Sequence, residues 1–220
     1  STPVLLVGQE AGRGTGGITR LAEEQRKVGN WRRVLMIGAH PDDEDTELLT
    51  ILSRGEGIET GYLSLTRGDG GQNLIGAELG VALGVLRTEE LLAARRIDGG
   101  VQFFARAIDF GYSKTIDEAF AFWQRDSLLK DAVRIIRRFR PQVIVSVWSG
   151  TPADGHGQHQ ASGVIASDAF HAAGDSTRFP ELLREEGLKP WSVVKFYRSM
   201  RRTATSPAHR AVELHPVPYT

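Results

Sequence analysis

Strands are read at Arg33 to Ala39, Ile58 to Thr66, Val101 to Ala105, Val143 to Trp148 and Val193 to Met200, and the first and fourth are apolar nearly throughout. Continuous apolar runs of this length belong to strands buried on both faces, as in parallel sheets. Parallel neighbours cannot be joined by hairpins, so each must be followed by a crossover, usually a helix. The intervening stretches supply helical spacing at Asp45 to Arg54, Val85 to Ile97, Leu128 to Phe139 and Gln160 to Phe170. Gly55 and Gly57 end the first of these, and Pro141 ends the third. The pattern predicts a Rossmann-like α/β three-layer sandwich, a mostly parallel sheet with helices on both faces. Its ligand belongs at the carboxyl ends of the strands.

A chain of 220 residues with 40% hydrophobic content can bury one core without a structural metal or disulfides. Its formal net charge of zero leaves no electrostatic footprint for nucleic acid or an anionic membrane. The absence of cysteine excludes thiol catalysis and Cys-ligated zinc, so any metal must be held by His, Asp or Glu. No apolar run approaches the ~18 residues of a membrane span. The start at Ser1 has neither a basic n-region nor an apolar h-region, which leaves a cytoplasmic and an exported protein both open. Residues 1–30 read as a flexible N-terminal arm with a brief polar helix from Thr19 to Lys27. The glycines between Gly8 and Gly17 do not follow the dinucleotide-binding spacing. Residues 31–200 read as one domain, and 201–220 as a tail or the start of a further segment. Additional domains and a homo-oligomer stay open.

The first strand runs into Ala39-His40-Pro41-Asp42-Asp43-Glu44. Pro41 pushes His40 out of the helical region, so the chain turns there and gathers one imidazole and the following carboxylates at a strand end. Such a set suits a divalent metal with a spare carboxylate as general base. It equally suits a helix start whose acids complement the dipole. The fourth strand leads into Gly150 to Ser162, which places His156 and His159 three residues apart in a Gly- and Pro-rich loop. Together with His40 and Asp43 they complete a set of N and O ligands that leaves one position open. His171, His209 and His215 lack acidic or histidine neighbours at ligand spacing and read as structural or surface residues. After the second strand, Arg67, Asp69 and Asn73 sit in a glycine-rich loop where substrate contact is expected. Arg87, on the following helix, and Asp109, among aromatics in a later loop, join them as substrate-binding candidates. Arg87, Glu89, Arg95 and Arg96 are expected on the outside of their helix. Arg134, Arg137, Arg138 and Arg140 read as a solvated basic face.

These motifs resemble the PIG-L/LmbE-like zinc-dependent de-N-acetylases (GlcNAc-PI de-N-acetylase-like). That family carries A/P-H-P-D-D/E-E after its first strand and a downstream H-x-x-H, matched by Ala39 to Glu44 and by His156 to His159. Thr66-Arg67-Gly68 resembles its threonine and glycine turn, and Arg87 to Glu90 its R-x-x-E helix. The resemblance spans Val34 to Ala161. It implies that His40, Asp43 and His159 bind one Zn2+, with iron(II) or another divalent cation as substitutes. Asp42 is then the general base that activates a zinc-bound water, and a protonated His156 stabilises the oxyanion. The implied reaction removes an N-acetyl group from a small-molecule amino sugar or glycoconjugate. Glu44 is a motif residue with an orienting or capping role. One departure stands out: the family's smaller enzymes commonly carry H-P-D-H, where this chain has Gly157 and Gln158, which alters the support expected around His159. Two alternatives remain. One is a metal-dependent esterase or phosphoesterase, although the ligands suffice for only one metal. The other is a carbohydrate-binding or assembly module without turnover, which would have no need of a spare base.

Overall fold

The computed structural model describes residues 17–71, 73 and 76–199. Within them, five strands form one all-parallel sheet in the order β3-β2-β1-β4-β5. The strands are β1 (Arg33–Gly38), β2 (Glu59–Ser64), β3 (Val101–Phe104), β4 (Val143–Ser146) and β5 (Lys195–Arg198). Leu35, Met36 and Ile37 of β1 have no solvent exposure, as expected for the central strand. The helices are α1 (Ile18–Lys27), α2 (Thr46–Thr50), α3 (Val81–Asp98), α4 (Ile116–Phe122), α5 (Arg125–Phe139), α6 (Gly157–Gly174) and α7 (Pro180–Glu186). The chain moves outward from β1 to β3, then crosses back to β4 and β5. Right-handed crossovers therefore put α2 and α3 on one face and α5 and α6 on the other. Accordingly, α2 packs with α3, and α5 with α6. The predicted three-layer architecture is the one observed.

The direction of winding reverses between β1 and β4. Ile37 pairs with Ser146 across that junction, and the Val147 N–H donates to the Ile37 carbonyl at 2.9 Å. The loops that follow β1 and β4 therefore leave the sheet side by side. This is the crevice where open parallel sheets bind ligands.

Local chemistry explains where the helices begin. Asp45 caps α2 by accepting the Leu48 N–H at 2.9 Å, and the helix then widens into a π turn over Ile51–Gly55. The short helix α4 was not expected from periodicity. Its signal is Thr115-Ile116-Asp117-Glu118: the Thr115 hydroxyl accepts from the Glu118 N–H, and the Glu118 carboxylate accepts from the Lys114 N–H at 2.7 Å. That is a capping box displaced by one residue. The short helix α7 begins at Pro180 and is tied to α5 by Arg134–Glu186 and Lys130–Glu181 ion pairs. The N-terminal α1 reaches the π turn through Glu23 and Arg54, 2.7 Å apart. No helix among the described residues is long and apolar enough to cross a membrane.

Two arginines expected at the surface are buried. Arg95 is 1% exposed, whereas Leu86 and Ile97 on the same helix face solvent. The inward face of α3 is partly ionic: Arg95 donates to Asp98 at 2.6 Å, Glu44 at 3.2 Å and the Gln102 side-chain Oε1 at 3.0 Å. The strand-end motif is thereby anchored to α3 through Glu44. Arg137, also buried, donates to the carbonyls of Ala172, Ala173, Asp175, Arg178 and Phe179. Those acceptors include carbonyls left over at the end of α6, so the side chain closes that helix rather than contributing to a basic surface. Burial pushes its pKa down. His171 is exposed, as expected. Residues 1–16 of the expected arm, the expected tail, Arg201, Arg202, His209 and His215 lie outside the described residues.

The Arg95 network makes a quantitative prediction. Arg95→Met strands two buried carboxylates and should cost about 3–5 kcal/mol of unfolding free energy. Urea titration measures it, and a loss below ~1 kcal/mol would show that the network is not fully desolvated.

Candidate metal centre

The loop after β1 is built around one carboxylate. Asp43 Oδ2 accepts from the Ala39 N–H at 2.7 Å, the His40 N–H at 3.0 Å and the Trp148 indole N–H at 2.7 Å. The Tyr62 hydroxyl donates to the His40 carbonyl and the Thr66 hydroxyl to the Ala39 carbonyl, which fixes the turn from below. With Oδ2 saturated, Oδ1 is turned toward His159, 3.6 Å from its Nε2. The His40 Nδ1 lies 3.8 Å from Asp43 Oδ2.

The loop after β4 is organised by Asp154. Its carboxylate accepts from the N–H groups of Ser149, Gly150 and Thr151. The chain then enters α6, which begins three residues earlier than expected. His156 is its N-cap, with Nδ1 accepting the Gln158 N–H at 3.1 Å. His159 therefore lies on the first turn of α6 rather than in a loop. Its Nδ1 faces the Asp154 carbonyl at 3.4 Å, and its ring stacks on Trp148 with centroids 3.6 Å apart. Gly157 is required by close approach: a Cβ there would fall 2.1 Å from the Thr115 carbonyl oxygen. Three imidazoles thus converge, with His40 5.1 Å from His159 and 5.4 Å from His156, centroid to centroid.

His40, Asp43 and His159 each offer one ligand atom, and these atoms all lie within 4.8 Å of one another. The His159 Nε2 to Asp43 Oδ1 separation of 3.6 Å is close to the ~3.4 Å edge of a tetrahedral site with ~2.1 Å bonds. The protonation states suit a cation as well. Burial pushes the His159 pKa down to about 4, against a smaller upward pull from Asp43. Burial, with His40 nearby, also lowers that of His156. Both imidazoles are neutral at pH 7, with lone pairs available. The resemblance implied a protonated His156, whereas burial favours its neutral form.

Asp42 points out of the loop. Its side chain is 67% exposed and meets Arg87 Nη2 at 3.1 Å. Arg87 also packs against Gly68 and Gly71. Asp109 is buried, accepts the Gly111 N–H at 2.8 Å, and lies against Gly70. A Cβ at Gly70 would sit 2.4 Å from the Asp109 carbonyl oxygen, so glycine lets the two loops touch. The other rim candidates are engaged with protein. Arg67 lies over the Phe104 ring and donates to Thr88, with burial lowering its pKa. The Asp69 carboxylate abuts Gly84 of α3. Asn73 bonds Glu78 and Gly76 in its own loop.

Several residues at the centre were not singled out from sequence: Trp148, which touches two of the three ligand candidates, Tyr62, Ser113, Tyr112 and the supporting role of Gln158. Gln158 faces His40 rather than His159, with Oε1 2.6 Å from its Nε2. Tyr112 packs edge-on against His156. Only the H-x-x-H spacing could have flagged the position of Gln158. Nothing in the run Val143 to Trp148 distinguishes a ligand-stacking tryptophan from a core one. The hollow lined by Trp31, Arg32 and Glu56 is at the opposite, amino-terminal edge of the sheet.

Fold and site together define a parallel α/β domain with a His-Asp-His cluster at its switch point. The chain belongs to the PIG-L family, whose model, described as GlcNAc-PI de-N-acetylase, matches residues 35–170. A 1D-myo-inositol 2-acetamido-2-deoxy-alpha-D-glucopyranoside deacetylase from Geodermatophilus obscurus is 32% identical over 183 residues, covering 76% of this chain and 60% of that protein. The chain thus spans about three fifths of that relative's length. Among solved structures, N,N'-diacetylchitobiose deacetylase from Pyrococcus horikoshii superposes with a TM-score of 0.62 at 21% identity, covering 79% of this chain and 63% of that one. GalB, the 4-carboxy-2-hydroxymuconate hydratase of Pseudomonas putida, gives 0.56 at 18%, covering 75% and 64%. Both likenesses speak to the fold alone.

The lowered histidine pKa values set a pH dependence. Between the folded value of about 4 and the ordinary 6.5, the unfolded chain binds more protons at His159 than the native one. Stability should therefore rise with pH across this window and level off above it. Thermal unfolding of metal-stripped protein between pH 5 and 7.5 should show the rise, and His159→Gln should flatten it. An identical slope in the variant would refute the assignment.

Proposed function

We propose that this chain is a zinc-dependent N-deacetylase of amino sugars or their small glycoconjugates. The observation that carries the reading is the meeting of His40, Asp43 and His159 at one point, with His156 beside them and the exposed Asp42 adjacent in sequence and paired with Arg87. Family membership and the deacetylase relative support it. Zinc, when bound, supplies Lewis acidity that polarises an amide carbonyl and makes nearby water more acidic.

The remaining work falls to side chains. Asp42, exposed beside Arg87, accepts a proton from the attacking water while Arg87 holds its carboxylate in place. The water oxygen bonds to the acetyl carbon and the carbonyl electrons move onto oxygen. On collapse the C–N bond breaks, and Asp42 returns the proton to the departing amine, giving acetate and the free amino sugar. His156 acts as a neutral donor. Its Nδ1 accepts the Gln158 N–H, with the Ser113 hydroxyl 3.3 Å away as a second donor to it, which favours the tautomer with the proton on Nε2, available to the developing oxyanion. The first backbone N–H groups of α6 do not serve that purpose, because Ser113 accepts from both Gly157 and Gln158. Of the expected substrate contacts, Arg87 and Asp109 suit a hydroxylated sugar best. Arg67, Asp69 and Asn73 build the loop that supports them.

Two measurements test the reading. Purified protein should bind about one zinc ion per chain, and His40→Ala, Asp43→Ala or His159→Ala should abolish that binding. Asp42→Asn should keep the zinc and lose ~10²–10⁴-fold in acetate release from N-acetylglucosamine conjugates. Esters and phosphomonoesters belong in the same panel. Turnover of those without any acetate from N-acetyl sugars would refute the deacetylase assignment.

A further inference from the structure

The side-chain amide of Gln158, one residue before the ligand candidate His159, is held at both ends. The Nε2 group donates to the Gly111 carbonyl at 2.8 Å, and Oε1 lies 2.6 Å from His40 Nε2. The residue is fully buried, so neither end can turn to water for a partner. A carbonyl oxygen only accepts, which forces the amide nitrogen toward Gly111 and the amide oxygen toward His40. An amide oxygen likewise only accepts, so His40 must present an N–H there. The proton of neutral His40 is then on Nε2, and the lone pair is on Nδ1, the nitrogen that faces Asp43.

We infer that Gln158 is a positioning residue that sets the tautomer of His40, making Nδ1 its metal-binding atom, and that the Gly111 carbonyl fixes the amide so that it can do so. This rests on the part of the proposed function that puts zinc among His40, Asp43 and His159. The device differs from a carboxylate partner in a definite way. A carboxylate accepts with either oxygen and needs no outside support, whereas an amide supports an imidazole N–H only in one of its two orientations. The loop at Gly111 is the element that selects it. That loop is itself set by Asp109, whose Oδ1 accepts the Gly111 N–H at 2.8 Å. A continuous chain of hydrogen bonds therefore runs from the substrate-side loop through Gln158 to a metal ligand.

The first test needs no substitution. In the metal-free full chain at pH 8, long-range ¹H–¹⁵N correlation spectra, with His40 assigned by loss of its signals in His40→Gln, should show the Nε2–H form. The Nδ1–H form would overturn the inference. The second test reads zinc affinity by chelator competition. Gln158→Leu should weaken zinc binding by ~10–100-fold, the usual cost of losing a partner behind a ligand, while Gln158→Glu should bind at least as tightly as the native chain. Native affinity in Gln158→Leu, or an equal loss in Gln158→Glu, would overturn the inference, the latter by showing that shape at 158 matters and the acceptor does not. Neither measurement involves acetate. A chain that binds zinc through His40 Nδ1 but releases no acetate would refute the deacetylase reading and leave this one supported.

Discussion

The three hydrogen bonds to Asp43 Oδ2 are the interaction on which the rest of the site depends. Two come from the turn after β1 and one from Trp148 after β4, so a single carboxylate oxygen spans the switch point of the sheet. Hydrogen bonds to a charged acceptor are worth about 1.5–3 kcal/mol each, which is enough to hold a turn that Pro41 prevents from simply continuing as helix. The other oxygen is left to face His159. Fold and site thus share one side chain, divided between its two oxygens.

The carboxylates of Asp42, Asp43 and Glu44 are consecutive in sequence and enter three different environments. Asp42 is exposed beside Arg87, Asp43 is buried under N–H donors, and Glu44 is buried against Arg95. Burial pushes the Glu44 carboxyl up, and the Arg95 charge pulls it back. Its role is to tie the motif to α3. Around Asp43, burial keeps His156 and His159 neutral. A dominant anion among neutral imidazoles is the electrostatic environment a divalent cation requires, and it is produced mainly by desolvation.

Much of this was legible in sequence, for reasons that can be stated. Apolar runs at Arg33 to Ala39 and Val143 to Trp148 specify buried parallel strands whatever their neighbours, and the alternation with helical spacing let the five strands and the main crossover helices be read. The His40 and His159 stretches could be paired because both follow such runs. What could not be read depends on which residue faces which. Arg95 and Arg137 have the composition of a surface, and only tertiary packing supplies the carboxylates and carbonyls that bury them. Trp148 reads as the end of an apolar strand, and its indole N–H finds Asp43 only because β1 and β4 are adjacent, 105 positions apart in the chain. The capping pattern at Thr115 was visible and is short enough to miss.

The fold alone leaves the reaction open, since a hydratase shares it. What narrows the chemistry is the coupling of local structure to proton positions. His156 Nδ1 caps α6 and shares the Gln158 N–H with the Ser113 hydroxyl, and the cap bond favours the imidazole proton on Nε2. A residue that only capped would do as well as serine or aspartate, which are the common choices. Histidine at this N-cap accepts with one nitrogen and leaves an N–H on the other, beside His40 and His159. Ionised aspartate has no donor to offer, and a serine hydroxyl would donate from the same atom that caps the helix, close to the backbone rather than across a ring. An imidazole at this capping position accords with the oxyanion role proposed for His156.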